Sequence, residues 1–243
     1  MKRMDNMRKR NKRQLYVMIF VFTIIALAYT CRMLDMYDIG SGYPGDVRAA
    51  LYILLLALWG YSIDRRIIQK PVLHCLRLTD ALMLLWLILR TLKYEVVTDL
   101  TVARYLWYLY YLPMLFIPLL GVYIAMSLGK SEEYRLSGKT QLLTIIPALL
   151  FLCVITNDLH QKVFTFKSGI PGNPGNGPYY HNVLYFFCLA WMVGCMIFTV
   201  VHIFKNSRVS NVGKRRGMPF VFCCVTILYG VLYLIGIPQV RYV

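Results

Sequence analysis

TQLLTIIPALLFLCVITNDLH, residues 140–160, decides how the chain is to be read. From Thr140 to Ile155 it holds no charged residue, and it then passes within five positions through Thr156, Asn157, Asp158 and His160. An apolar run of this kind suits a helix in hydrocarbon, where about 17–25 residues cross the bilayer. The polar tail marks the point where such a helix returns to water.

The whole chain has the same character. Of its 243 residues 58% are hydrophobic and 16% charged, whereas soluble domains carry roughly 45–50% apolar and about 25% charged residues. A net charge of +16 would suggest nucleic acid in a soluble protein. Here the cations gather in short links between apolar runs, so the expected partner is the lipid bilayer and not nucleic acid.

Seven spans are expected, giving an all-α seven-helix transmembrane bundle. A basic cytoplasmic arm, residues 1–14, leads into a first apolar helix at 15–31. A secretory leader has the same layout, and Ala26 and Ala28 supply a cleavage-like pattern, but the apolar run continues past them, which favours a retained helix. The main bundle covers 47–237, with spans at 47–63, 73–92, 103–128, 140–155, 183–204 and 218–237. Between the fifth and sixth lies a Gly/Pro-rich loop, 160–181. Val163, Phe164, Thr165 and Phe166 are strand-prone and SGIPGNPGNGP is rich in turn formers, so a short outer hairpin is expected there.

Charge sets the orientation. Of the 27 Lys and Arg residues, 19 fall in the N-terminal arm and the links after the second, fourth and sixth spans, and 8 on the other side. Cationic loops stay in the cytoplasm. The N-terminus is therefore expected inside, and Asn157, Asp158, His160 and the Gly/Pro loop outside. Seven spans then put Val243 outside as well.

Two sets of residues carry possible chemistry. Asn157, Asp158 and His160 end the fifth span on the side where Arg104, Trp107, Tyr108 and Tyr111 begin the fourth, and together they form a candidate ligand-binding site. A histidine there makes binding responsive to pH. The blander reading has Thr156, Asn157 and Asp158 capping the helix end and the loop through side-chain hydrogen bonds, with His160 stapling the hairpin. Arg77 and Asp80 lie three apart on one helix face and are expected as an intramembrane ion pair, either structural or part of an ion path. Arg90 and Lys93 read as interface anchors, and Pro113 and Pro118 as helix-bending residues.

The seven cysteines show neither CxxC spacing nor any other metal-ligand pattern, so no metal and no cofactor is expected. No HExxH, GxSxG or nucleotide-binding Gly-rich signature is present, and the chain is not expected to be an enzyme.

Trp107, Tyr110, Tyr111, Leu112 and Pro113 form a W-x-x-Y-Y-L-P pattern, and Thr156 to His160 reads T-N-D-L-H before an aromatic segment. In this order the features resemble the seven-helix membrane sensor region found N-terminal to bacterial histidine kinases, over roughly Val47 to the end. The resemblance implies a multi-pass protein of the bacterial inner membrane whose outer face perceives a small-molecule signal and whose last helix passes it to a cytoplasmic kinase or regulator. A homodimer is compatible with it. The chain departs from the pattern by lacking the family's final helix and the kinase, so it is expected to be the receptor part of a longer gene product. The competing reading is a small transporter or channel, for which Arg77, Asp80, Pro113 and Pro118 would be the relevant residues.

Overall fold

The computed structural model describes residues 19–34, 37, 43–66, 69–128, 130–131, 134–166 and 179–206. The seventh expected span, 218–237, and the loop 167–178 lie outside the described residues, as does the basic arm.

Helices α1 (Ile19–Leu34), α2 (Tyr43–Arg66) and α3 (Lys70–Thr91) come first. Proline stands in the first turn of α3, where its missing N–H costs nothing. The side-chain amide of Gln69, just before it, donates to the Ser127 and Ser131 carbonyls at 3.0 and 3.2 Å, tying the start of α3 to a segment 58 to 62 residues further on. A single π-helical turn, Leu92–Val96, closes α3. Asp99 then opens α4 (Leu100–Leu109), its Oδ1 accepting from the backbone N–H groups of Thr101 and Val102 at 2.8 and 2.9 Å. This is a full N-cap.

The fourth expected span is two helices in succession. At Tyr110 the N–H bonds to the Trp107 carbonyl three residues back, and Pro113 has no N–H to offer the Leu109 carbonyl. The ladder breaks there, and α5 runs from Tyr111 to Ser127 with Pro118 inside it. One residue after Met114, whose carbonyl Pro118 leaves without its helical donor, the Trp191 indole N–H donates to the Leu115 carbonyl at 3.1 Å.

The next span starts at α6 (Gly138–Gln141) and a 3-10 turn, Leu142–Thr144, before α7 (Ile145–Ile155). Pro147 explains the tight start, since it cannot donate to the Leu143 carbonyl. A one-turn helix α8 (Asn157–His160) follows. Strands β1 (Phe164–Phe166) and β2 (Tyr179–His181) pair antiparallel with Phe164 opposite His181, which is the hairpin expected after the fifth span. The long α9 (Val183–Asn206) completes the described chain.

Helix α5 is the axis, packing mainly on α3 and α9 and also on α7. Among the described residues, four helical stretches are long and apolar enough to cross a membrane: Lys70–Val96, Leu100–Ser127, Gly138–Ile155 and Val183–Lys205. Two shorter apolar helices, Ile19–Leu34 and Val47–Ile63, accompany them. Their outer faces are apolar: Leu142, Ile145, Leu149 and Leu152 on α6–α7 and Phe186, Phe187 and Ile197 on α9 are all exposed. A soluble monomer rarely shows so continuous an apolar surface. The chain is a helical membrane bundle whose surrounding solvent is hydrocarbon.

Candidate functional site

The site is built at the hairpin end, around Asn157, which is fully buried. A buried amide must find partners for both its oxygen and its nitrogen or lose roughly 1–3 kcal/mol for each group left unpaired. Asn157 satisfies both. Its Oδ1 accepts the backbone N–H groups of Val163 and Phe164 at 3.0 and 2.9 Å, and its Nδ2 donates to the Phe164 carbonyl at 2.9 Å and to the Tyr108 hydroxyl at 3.2 Å. The side chain thus stands in for a strand neighbour of β1 while reaching across to α4.

Tyr108 carries the network onward. Its hydroxyl donates to Asp158 Oδ1 at 2.6 Å, a short charge-assisted bond. The other oxygen of Asp158 lies 3.6 Å from Arg104 Nη1, with both side chains about one-quarter exposed at 24% and 26%. The Arg104 guanidinium also sits over the Phe166 ring, 4.7 Å from its centroid. Helix α4 brings Arg104 and Tyr108 to one face because they are four residues apart.

His160 turns away from that group. The Lys162 amide N–H donates to its Nδ1 at 2.9 Å, so Nε2 carries the proton and donates to the Cys153 carbonyl at 3.0 Å. Thr156 Oγ1 is 3.4 Å from the same nitrogen. The ring therefore clamps the end of α7 to the turn before β1, with Gln161 in the left-handed region at φ 50°. Of the two ionisable residues at the end of the fifth span, the structure places Asp158, and not His160, beside Arg104. Asp158 enters one residue after Asn157, on the α4 side of the turn.

Of the three residues read as capping the helix end and the loop, Thr156 bonds back to the Leu152 carbonyl in the last turn of α7 at 2.7 Å, Asn157 takes the loop N–H groups of Val163 and Phe164, and Asp158 reaches across to α4 instead. Lys93, expected to reach for the interface, is only 4% exposed, its ammonium over the Tyr94 ring at 4.5 Å.

Aromatic rings surround the polar chain. Phe164, fully buried, is the hub: Trp107 (4.6 Å), Tyr111 (5.6 Å), Tyr179 (5.7 Å), Tyr185 (5.8 Å) and His181 (6.0 Å) all have ring centroids within reach of it. His181 in turn lies 3.9 Å from Tyr185, and burial of that ring face holds its pKa below the usual 6.5. Trp107 and Tyr111, named from the sequence, are walls of this cluster. Phe164, Phe166, Tyr179, His181 and Tyr185 were not singled out as site residues, although VFTF and YYH flank the Gly/Pro run as hairpin arms would. Asn182 reinforces the hairpin, its amide donating to the Gln161 carbonyl at 2.6 Å and to Thr165 Oγ1.

Arg77 and Asp80 lie one turn apart on α3, away from this end. The Asp80 carboxylate rests against Gly60 of α2, filling the space a Cβ would need there. Its Oδ1 is buried and has no hydrogen-bond partner among the described residues.

Chemically, the hairpin end offers a half-open carboxylate–guanidinium pair on an aromatic floor. Among the described residues there is no group of three or more His, Cys, Asp or Glu placed to hold a metal ion.

A family model described as the N-terminal 7TM region of histidine kinase matches residues 47–243. No curated protein and no solved structure matches the chain.

Proposed function

We propose the function from one premise: the chain belongs to the family of N-terminal 7TM regions of histidine kinases. Such a region is the membrane-embedded sensory part of the kinase and not its catalytic part. We infer that this chain has seven spans, with its N-terminus cytoplasmic and its hairpin end facing out. There it perceives a small polar or zwitterionic molecule and passes the signal to a cytoplasmic kinase.

The observation that carries this reading is the linkage of Arg104 to Asp158 to Tyr108 to Asn157 to β1. A ligand with charges of its own exchanges with the exposed end of that chain, at Arg104 and Asp158. The buried end, at Asn157, holds the hairpin and α4 in one arrangement. Altering the first alters the second, and α4 leads directly into α5, the axis of the bundle. Asn157, Tyr108, Trp107, Tyr111 and His160 then hold the shape of the site, while Arg104 and Asp158 make the contact.

The test is a thermal-shift screen of the detergent-purified chain against small metabolites and short peptides. A stabilising compound should show saturable binding that Arg104→Gln and Asp158→Asn abolish and Arg77→Ala leaves intact. A compound whose binding ignores both site variants would sink the assignment.

The alternative is a transporter or channel using Arg77 and Asp80 as an ion pair within the membrane. The Asp80 oxygen, buried and without a partner among the described residues, is the observation that favours it. Solute or ion flux through vesicles holding the purified chain, lost in Asp80→Asn, would establish that reading in place of the sensor.

A further inference from the structure

At the opposite end of the bundle from the hairpin, a groove of 570 Å³ opens between α5, the start of the α6–α7 span and α9. Its floor runs along α5 from Leu119 to Met126, and one wall along α9 from Ala190 to Phe198. At 1.5 Å rise per residue these stretches are about 10–12 Å long. Half of a hydrocarbon core of about 30 Å is about 15 Å. The groove is therefore one leaflet deep, too short to seat a helix that crosses the membrane and matched to an acyl chain entering from one side.

Two details define what it accepts. Among the described residues lining it, Lys139 is the one with a charge, and it is exposed at the mouth where the apolar span begins. Lys130 and Arg135 belong to the same short link. The nearby Tyr123 hydroxyl is already engaged, 2.8 Å from Thr144 Oγ1 and donating to the Thr140 carbonyl at 3.1 Å, so it ties α5 to the wall and leaves the lysine to meet a ligand. Gly194 is the second detail. A Cβ built there would meet nothing within 4 Å among the described residues, so this glycine widens the groove they form.

We propose that the groove binds one anionic phospholipid of the leaflet on the Lys139 side, with its phosphate at Lys139 and one acyl chain along α5, between α9 and the stretch formed by α6 and the 3-10 turn after it. The depth fits a single-leaflet chain, and the charge at the mouth complements the headgroup. The site is independent of which ligand, if any, the hairpin end takes, and of which way the chain faces.

Native mass spectrometry of the full chain, released from vesicles of phosphatidylglycerol and phosphatidylcholine with identical acyl chains, tests it. The wild type should retain one phosphatidylglycerol about five-fold over phosphatidylcholine, as one lysine at an anionic surface provides. Lys139→Gln should erase the preference while retaining lipid. Gly194→Leu should lower retention of both lipids with unchanged helicity by circular dichroism, and Gly194→Ala should do so by less. Equal retention of the two lipids by the wild type, or retention unaffected by Gly194→Leu, overturns the proposal. So does a wild-type dimer that Gly194→Leu splits, because the groove is then an interface between copies. A wild type that retains no lipid and is destabilised by Gly194→Leu overturns it too, since the groove is then filled by the chain's own remaining apolar segment.

Discussion

Asn157 and Phe164 are joined by a reciprocal pair of hydrogen bonds, the side-chain amide of one giving to and taking from the backbone of the other at 2.9 Å in both directions. One residue type in that position supplies both polarities. Asn157→Asp keeps the shape but replaces the donating nitrogen with an oxygen facing the Phe164 carbonyl and the Tyr108 hydroxyl. The expected loss is about 2–3 kcal/mol or more, since buried groups are left unpaired. Thermal and denaturant unfolding of the purified chain in detergent measures it, and a loss below about 1 kcal/mol would show the pair to be incidental.

Tyr108 and Asp158 act as a unit. Tyr108→Phe keeps the ring packing of the hairpin cluster and removes the donor 2.6 Å from Asp158. Each of Tyr108→Phe and Asp158→Asn should cost about 1–2 kcal/mol, and the double variant less than the sum, with a coupling of about 1 kcal/mol. Additive losses in the unfolding cycle would argue against the bond.

Arg104 contributes little to stability. Its pair with Asp158 is long and partly exposed, a situation worth less than about 1 kcal/mol and weakened by salt. Arg104→Gln should lower the unfolding midpoint slightly at low ionic strength and not at high. Arg104→Lys keeps the charge and loses the flat contact over Phe166. A large, salt-independent loss would mean the guanidinium is structural.

His181 makes the hairpin sensitive to acid. Its ring packs with Phe164, Tyr179 and Tyr185, and burial lowers its folded pKa below 6.5. Folding thus favours the neutral ring. Stability is complete above about pH 6.5 and declines as pH falls toward the lowered folded value. The decline is modest because the residue is exposed on its other side. Unfolding midpoints of wild type and His181→Phe between pH 5 and 8 should converge at the alkaline end and separate at the acid end; parallel curves would count against the assignment.

Gly60 and Asp80 are matched in size. Gly60→Ala places a methyl where the Asp80 carboxylate lies, and overpacking of that kind costs roughly 1–3 kcal/mol. Asp80→Ala clears the space, so the double variant should regain most of what Gly60→Ala loses. If the methyl is tolerated alone, α2 and α3 are not held as closely as described.

The helices were legible because hydrocarbon imposes one rule, the apolar run, and the run around Ile145–Ile155 obeys it without exception. The hairpin was legible from VFTF and YYH astride a turn-rich stretch. Harder to see were the partners: Tyr108 and Asp158 are 50 residues apart, and nothing local says that α4 lies beside the end of α7. The break at Tyr110 was half visible, since Pro113 announces a disturbance but its effect falls four residues earlier, at the Leu109 carbonyl it fails to reach. His160 left two readings open in the sequence, a ligand contact or a staple for the hairpin, because nothing local tells which groups its ring nitrogens meet; here both meet backbone groups.

The discontinuity at Tyr110 has a mechanical meaning. An uninterrupted rod transmits torsion, but two rods joined end to end at a gap in the ladder transmit sway. Helix α5 has 17 residues, about 25 Å at 1.5 Å each, so a sway of about five degrees at its Tyr111 end displaces Ser127 by roughly 2 Å. Gln69, which grips the Ser127 carbonyl, would carry that displacement straight to the root of α3.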